Sequence, residues 1–238
     1  MIKHLFFLSV NDFKLAFRDS SLRFFFLFPW LIILLIAFLF PYISDNFPQY
    51  NKYMKYILMG SSIQTSIILA FVYGVFFIDE KDLNINKVYA VTPVNKLSFV
   101  ISRILIGVLI SFFITSILLA TQSLHDFLWY ENLLISLNSG LLVPIFSFSV
   151  AALSKNKMEG MVWFKAFNLL FALPLISFFI LDYGYLFGVL PNYWVYQAMD
   201  KSISNISSLN FLIIATIISL SLTILTAVIF EKKHYKLN

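Results

Sequence analysis

The sequence predicts an all-α membrane protein: six transmembrane helices, an amphipathic interfacial helix at the N-terminal end, and an external helical hairpin before the last span. Three observations carry this reading. Apolar residues fill 60% of the 238 positions and charged residues only 12%, with a mean hydropathy of +0.86, outside the range of soluble domains. Six apolar runs each reach the roughly 20 residues that a helix needs to cross a bilayer core. Lys and Arg gather in alternate connections between those runs, as the positive-inside rule requires. The 28 Phe, 12 Tyr and 4 Trp suit packing against lipid and anchoring at its surfaces.

Residues 1–22 form the first element. Phe6, Val10, Phe13 and Phe17 recur at helical spacing, while Lys3, Asp12, Lys14, Arg18 and Asp19 occupy the remaining positions. That pattern predicts a cytoplasmic helix lying along the inner headgroups. Its charges are unlike a cleavable leader, so this segment is expected to be retained. Residues 23–238 then form a single six-helix transmembrane domain, with spans at 24–43, 56–78, 98–120, 133–153, 161–181 and 209–230.

Orientation follows from the charges. Placing the N-terminus inside puts twelve Lys and Arg in cytoplasmic segments against Lys52, Lys55 and Lys201 outside, so both termini are expected in the cytoplasm of a multi-pass cell-membrane protein. Arg103 and Lys165 fall inside spans near cytoplasmic ends, where a long side chain is expected to snorkel to the headgroups. The net charge of +5 is thereby explained by the membrane, and nucleic acid is not expected as a partner.

Two connections carry more than a link. Residues 79–94 begin acidic, at Asp79 and Glu80, and contain Leu83, Ile85, Val88 and Tyr89 before Thr92-Pro93 turns the chain back. A short helix with one face for a partner and a solvated connector both fit. Residues 182–208, outside, cluster Tyr183, Tyr185, Phe187, Tyr193 and Trp194 around Gly184, Gly188 and Pro191. A re-entrant or interfacial hairpin and an aromatic surface loop remain alternatives.

Several chemistries are excluded. Without cysteine there is no disulfide or thiolate metal site, and His4, His125 and His234 lack the spacing of a helix-borne metal motif. None of the seven glycines is followed by lysine, so the phosphate-cradling loop of an ATPase is absent. The six runs hold no Asp, Glu or His, which argues against intramembrane hydrolysis and against ion-coupled carriage. Gln64, Thr65, Asn138 and Asn168 are the candidate pathway residues, although such groups also hydrogen-bond between helices. Pro29, Pro144 and Pro174 mark possible kinks. A path so apolar suits an amphiphilic or aromatic cargo.

Glu80-Lys81-Asp82 followed by Thr92-Pro93-Val94 resembles the permease subunits of ABC-2 type exporters. Asn84 stands where that family has glycine, and Asn is the residue that best tolerates the same left-handed turn; Ile85 and Asn86 depart from the pattern. Leu190-Pro191-Asn192-Tyr193-Trp194 is similar to the Leu-Pro-x-Tyr-Trp segment of the fluoroquinolone-type export permeases. The resemblance implies a non-enzymatic transport subunit that binds no cofactor itself. It also implies a separate ABC ATPase carrying ATP-Mg and a second permease subunit, identical or not. Glu80, Lys81, Asp82, Asn84, Thr92 and Pro93 would then couple to the ATPase, and Pro191, Tyr193 and Trp194 would belong to the external hairpin. An ion-coupled carrier and a non-transporting membrane scaffold or immunity protein are the rival expectations.

Overall fold

A computed structural model describes residues 2–90 and 96–235. Among them every regular element is helical, the state in which an isolated segment satisfies its own backbone groups in lipid. Six stretches are long and apolar enough to cross a membrane: Leu22–Asn46, Pro48–Asp82, Lys96–Thr121, Trp129–Leu153, Lys157–Phe178 and Leu209–His234.

The chain opens with α1 (Ile2–Arg18) and the short α2 (Ser20–Phe25), then enters the first span as α3 (Phe28–Asn46). Pro29 starts α3 rather than kinking it, because a proline in the first turn removes an N–H that has no intrahelical partner anyway. The second span is α4 (Asn51–Asp82), a single helix of 32 residues. At about 1.5 Å per residue it exceeds the roughly 30 Å of a bilayer core. Its last turn therefore contains Asp79 to Asp82, which the sequence placed in a loop.

Asn84 follows at φ 59, the left-handed conformation expected of it, and leads into α5 (Ile85–Ala90). Next come α6 (Lys96–Thr121), α7 (Trp129–Leu153) and α8 (Lys157–Ala172). Pro144 lies inside α7, whereas Pro174 sits where α8 gives way to the 3-10 segment Leu173–Phe178. A second 3-10 segment, Leu181–Val189, precedes α9 (Pro191–Ile203), and α10 (Leu209–His234) completes the bundle.

Helices α4 and α7 form the centre. Their spans are the most enclosed, while those of α3, α8 and α10 leave most of their apolar surface facing outward, as lipid-facing helices do. Close packing at the centre rests on small residues. A Cβ on Gly140 would lie 2.9 Å from the Val108 carbonyl oxygen of α6, and one on Gly107 would lie 2.5 Å from the Tyr73 ring of α4. Hydroxyls link the same helices: Ser111 donates to Ser66 (2.7 Å), Ser139 to the Ser62 carbonyl (3.1 Å), and Thr65 meets Thr115 at 3.2 Å.

One face of the N-terminal helix packs into the bundle. Ser9, Asp12 and Ala16, one helical face, are buried, whereas Phe17 is exposed and Val10 and Phe13 are half-buried; the Phe6 side chain lies outside the described set. Helix α1 packs on α6. Ser9 Oγ donates to the Arg103 carbonyl (3.3 Å) and accepts from Ile106 N–H (2.8 Å), so a polar side chain caps that contact.

Candidate functional site

Two regions bring chemically informative side chains together. At the end of the bundle where α1 and α5 lie, Arg103 of α6 is fully buried (0% exposed). It does not snorkel. Its Nε donates to Asp12 Oδ2 of α1 (2.5 Å) and its Nη1 to Glu80 Oε2 of α4 (2.8 Å), while Nη2 donates to Glu80 Oε1. Nη1 also reaches the Tyr235 hydroxyl (3.1 Å) beyond α10. The planar fork of guanidinium matches a carboxylate on two bonds at once, and partners of this kind make burial tolerable.

Aromatic rings enclose the rest of the group. The guanidinium carbon lies 5.6, 5.2, 5.2 and 5.3 Å from the ring centroids of Phe76, Phe77, Tyr89 and Phe99, within cation–π range. Burial pushes the Asp12 carboxyl above its ordinary value, and the adjacent Arg103 draws it part of the way back. Sequence reasoning missed this cluster. The two acids stand 91 and 23 positions from Arg103, and Glu80 had been assigned to an exposed surface.

The turn after α4 is bolted to that cluster from inside. Asn86 Nδ2 donates to the His234 carbonyl at the end of α10 (2.7 Å), and the Tyr89 ring meets Phe99 at 5.1 Å. Lys81 Nζ donates to the Ser154 carbonyl (2.7 Å), and Asp79 pairs with Lys157 (2.7 Å). The coupling residues expected from the sequence therefore divide. Glu80 faces inward, Lys81 is half-buried, and Asp82 and Asn84 are exposed, beside Leu83 (70% exposed) and Val88 (63%). Thr92 and Pro93 lie outside the described residues.

The second region is a groove on the outer face of α4, flanked by α3 and α8. Two adjoining cavities of about 370 and 300 Å³ share Gln64. Tyr56, Tyr196 and Asn168 border the first; Phe25, Phe28, Phe71 and Phe164 border the second. Gln64 and Asn168 are half-buried and, among the described residues, neither side chain has a hydrogen-bond partner. Thr65 and Asn138 do not line this groove. Thr65 is turned into the helix seam described above, and Asn138 is tied to Thr216 (2.9 Å), Ser219 (2.8 Å) and the Leu134 carbonyl (2.9 Å). One residue along α4 is a rotation of about 100°, enough to send Gln64 and Thr65 to different surroundings.

At the other end, Pro191 begins α9 and is buried. Trp194 Nε1 donates to the Gly188 carbonyl (2.7 Å), and its ring meets that of Tyr193 at 5.3 Å. Asn192, which the sequence did not single out, is buried and donates to the Phe171 carbonyl near the end of α8. Nearby, the buried Glu131 carboxylate accepts from Ser202 (2.7 Å), Ser208 (2.5 Å) and the Leu128 N–H (3.0 Å). These bonds seat α9 against the outer ends of α7 and α10. Lys55 and Asp200 add an ion pair between α4 and α9 (2.6 Å).

Comparison with known proteins identifies relatives for this arrangement. The family described as "Fluoroquinolones export permease protein Rv2686c-like" matches residues 12–227. Two curated relatives are the fluoroquinolones export permease proteins MT2760 and Rv2686c, from the CDC 1551 / Oshkosh and H37Rv strains of Mycobacterium tuberculosis. Each is 26% identical over 197 residues, covering 79% of this chain and 78% of the relative. No solved structure matches the chain.

Proposed function

The chain belongs to the Rv2686c-like fluoroquinolones export permease family, and from that premise we propose that it is the membrane subunit of an ATP-driven exporter of amphiphilic, aromatic compounds. The groove on α4 carries this reading. It combines aromatic walls with two amides that have no hydrogen-bond partner among the described residues, the mixture that holds an apolar compound bearing a few polar atoms.

Energy comes from a separate ABC ATPase that holds ATP-Mg, since this chain has no phosphate loop. The ATPase docks on the turn formed by Asp82, Leu83, Asn84 and Val88, whose apolar side chains project from the protein. Thr92 and Pro93 extend the same coupling segment. Helix α4 carries the movement, because Gln64 lies on the same helix as Glu80, about 24 Å along its axis. Arg103 makes α1, α6 and the end of α10 move with that end of α4. The walls contributed by α3 and α8 stand outside the cluster, so the groove changes shape when its floor shifts. A second permease subunit, the same chain or a related one, closes the open side of the groove.

Docking is tested by recovering the detergent-solubilised chain from its native membranes and assaying co-purified ATP hydrolysis. Wild-type protein is expected to bring down an ATPase. The Leu83→Glu, Val88→Glu double variant is expected to lose it at unchanged thermal stability, because neither side chain is packed in the fold. Failure of the wild-type chain to recover any nucleotide-hydrolysing partner under gentle conditions would overturn the ATP-driven reading in favour of an ion-gradient carrier or a scaffold.

A further inference from the structure

The Arg103 cluster holds more negative than positive charge. Asp12 and Glu80 both bond to the same guanidinium, and among the described residues no second Lys or Arg pairs with either acid. All three side chains are buried. A net charge sealed from water is costly, and two carboxylates that share one site do not both ionise as readily as either alone.

The two acids are not equivalent. Glu80 accepts from both terminal nitrogens of the guanidinium, whereas Asp12 accepts from Nε alone. Bidentate pairing favours the ionised form of Glu80, so Asp12 is the acid that gives up its charge first. Asp12 is faced by Arg103 from α6 and by Glu80 and the Tyr73 phenol from α4. Beyond the guanidinium lie Tyr89 of α5 and Tyr235 after α10, and Arg23 of α2 is exposed. The nearest base is His234, which is buried with neither ring nitrogen hydrogen-bonded among the described residues. Its Nε2 lies 3.8 Å from Glu80 Oε2, so it faces the acid that is already paired. Asp12 sits between Ser9 and Ala16 on the buried face of α1, where a change of charge bears directly on the contact with α6.

We infer that the cluster is an acid-tightened latch for α1: Asp12 takes up a proton ahead of the chain's other carboxylates, the buried charges then balance, and α1 is held more firmly to α6. A protonated Asp12 keeps a carbonyl oxygen for the Arg103 Nε–H while the surplus charge disappears. Burial raises the Asp12 carboxyl above its ordinary value, Arg103 draws it back in part, and Glu80 adds to the rise. The folded chain therefore binds this proton more readily than the unfolded chain. Stability tied to Asp12 is fully present at acid pH and is lost as pH rises through the raised value. An ordinary ion pair has the opposite sign, losing its stability on acidification. The latch acts whatever the chain transports.

The test titrates the purified chain in detergent between about pH 4.5 and pH 8, following thermal unfolding and the infrared carbonyl stretch of protonated carboxyls. Wild type is expected to keep one carboxylic-acid band to higher pH than the rest, and Asp12→Asn to lack it. Asparagine stands in for the protonated acid. Asp12→Asn is therefore expected to unfold at least as high as wild type at the alkaline end, with the gap closing on acidification, and Glu80→Gln to unfold lower than wild type throughout. The chain has no cysteine, so Ala16→Cys places a single thiol on the buried face of α1. At the alkaline end its labelling by a maleimide is expected to be several-fold faster with Asp12 present than in the Asp12→Asn background, and the two rates to converge on acidification. Loss of stability in Asp12→Asn at the alkaline end, or its failure to accumulate, would show an ordinary ion pair and overturn the inference. Equal labelling at every pH, or absence of the infrared band, would overturn it as well. A pH response that survives Asp12→Asn and vanishes in His234→Gln would place the proton on the histidine and reject the latch.

Discussion

The Arg103 cluster and the groove on α4 both place polar groups against apolar surroundings, with opposite outcomes. Around Arg103 two carboxylates and a phenol take four of the five donor hydrogens, and four rings enclose the group. Along the groove, Gln64 and Asn168 are presented to open cavities, their amides unmatched among the described residues. Buried polar networks hold one geometry when every member is satisfied, whereas an unmatched amide keeps its bonding capacity for a guest. Helix α4 joins the two, with Glu80 at its fixed end and Gln64 on its open face. The comparison separates a joint that must not change from a surface that must accommodate.

The largest effect is expected where the joint is broken. Arg103→Ala leaves Asp12 and Glu80 buried without their shared cation, and removing one partner of a buried ion pair typically costs about 3–5 kcal/mol. Thermal unfolding in detergent, followed by circular dichroism, should show a loss of that order or failure of the chain to accumulate. A variant as stable as wild type would mean that water reaches the cluster and that α1 is held to α6 by other contacts.

A smaller effect distinguishes the two kinds of amide inside the membrane. Asn138→Leu removes bonds to Thr216, Ser219 and the Leu134 carbonyl, joining α7 to α10. Side-chain hydrogen bonds between membrane helices average about 0.6 kcal/mol and reach about 1.7 kcal/mol, so a loss of about 1–2 kcal/mol in the same melt is expected. No loss would imply that the hydroxyls find other partners and that Asn138 is free to serve cargo.

How much of this was legible in the sequence depends on the range over which the signal acts. The six spans follow from local hydropathy and were readable, as was the turn at Asn84, whose φ of 59 reflects that residue's own tolerance of left-handed backbone. The Arg103 cluster was not readable. Within its own apolar window the arginine resembles any snorkelling cation, and only the fold brings Asp12 and Glu80 to it. Helix α1 was legible only in part for a related reason: its aromatic stripe is conspicuous, but the face that packs on the bundle is set by Ser9 and Asp12, which meet bonding groups on α6. In the spans, Gln64, Thr65, Asn138 and Asn168 were alike by type, and helix rotation alone divides them between groove and seam. Asn192 was passed over as the variable position of its segment, yet it bonds to the Phe171 carbonyl.

The smallest effect on stability, and the most informative for cargo, belongs to Gln64. Its side chain breaks no internal hydrogen bond on replacement, and Gln64→Leu adds apolar surface to a groove already walled by Phe25, Phe28, Phe71 and Phe164. Unfolding should therefore shift by less than about 0.5 kcal/mol, in the range of substitutions away from packed or bonded sites. Cargo should respond differently. An aromatic compound with hydrogen-bonding groups loses the amide's donor and acceptor and should bind the purified chain several-fold more weakly, about 1 kcal/mol for one neutral hydrogen bond; a plain aromatic hydrocarbon should bind equally well or better. If both compounds are unaffected, the groove is a lipid-filled crevice and cargo passes elsewhere. If the melt drops as far as for Asn138→Leu, Gln64 is a structural bond in the native membrane, and the contrast between fixed joint and open groove fails at the helix that was taken to connect them.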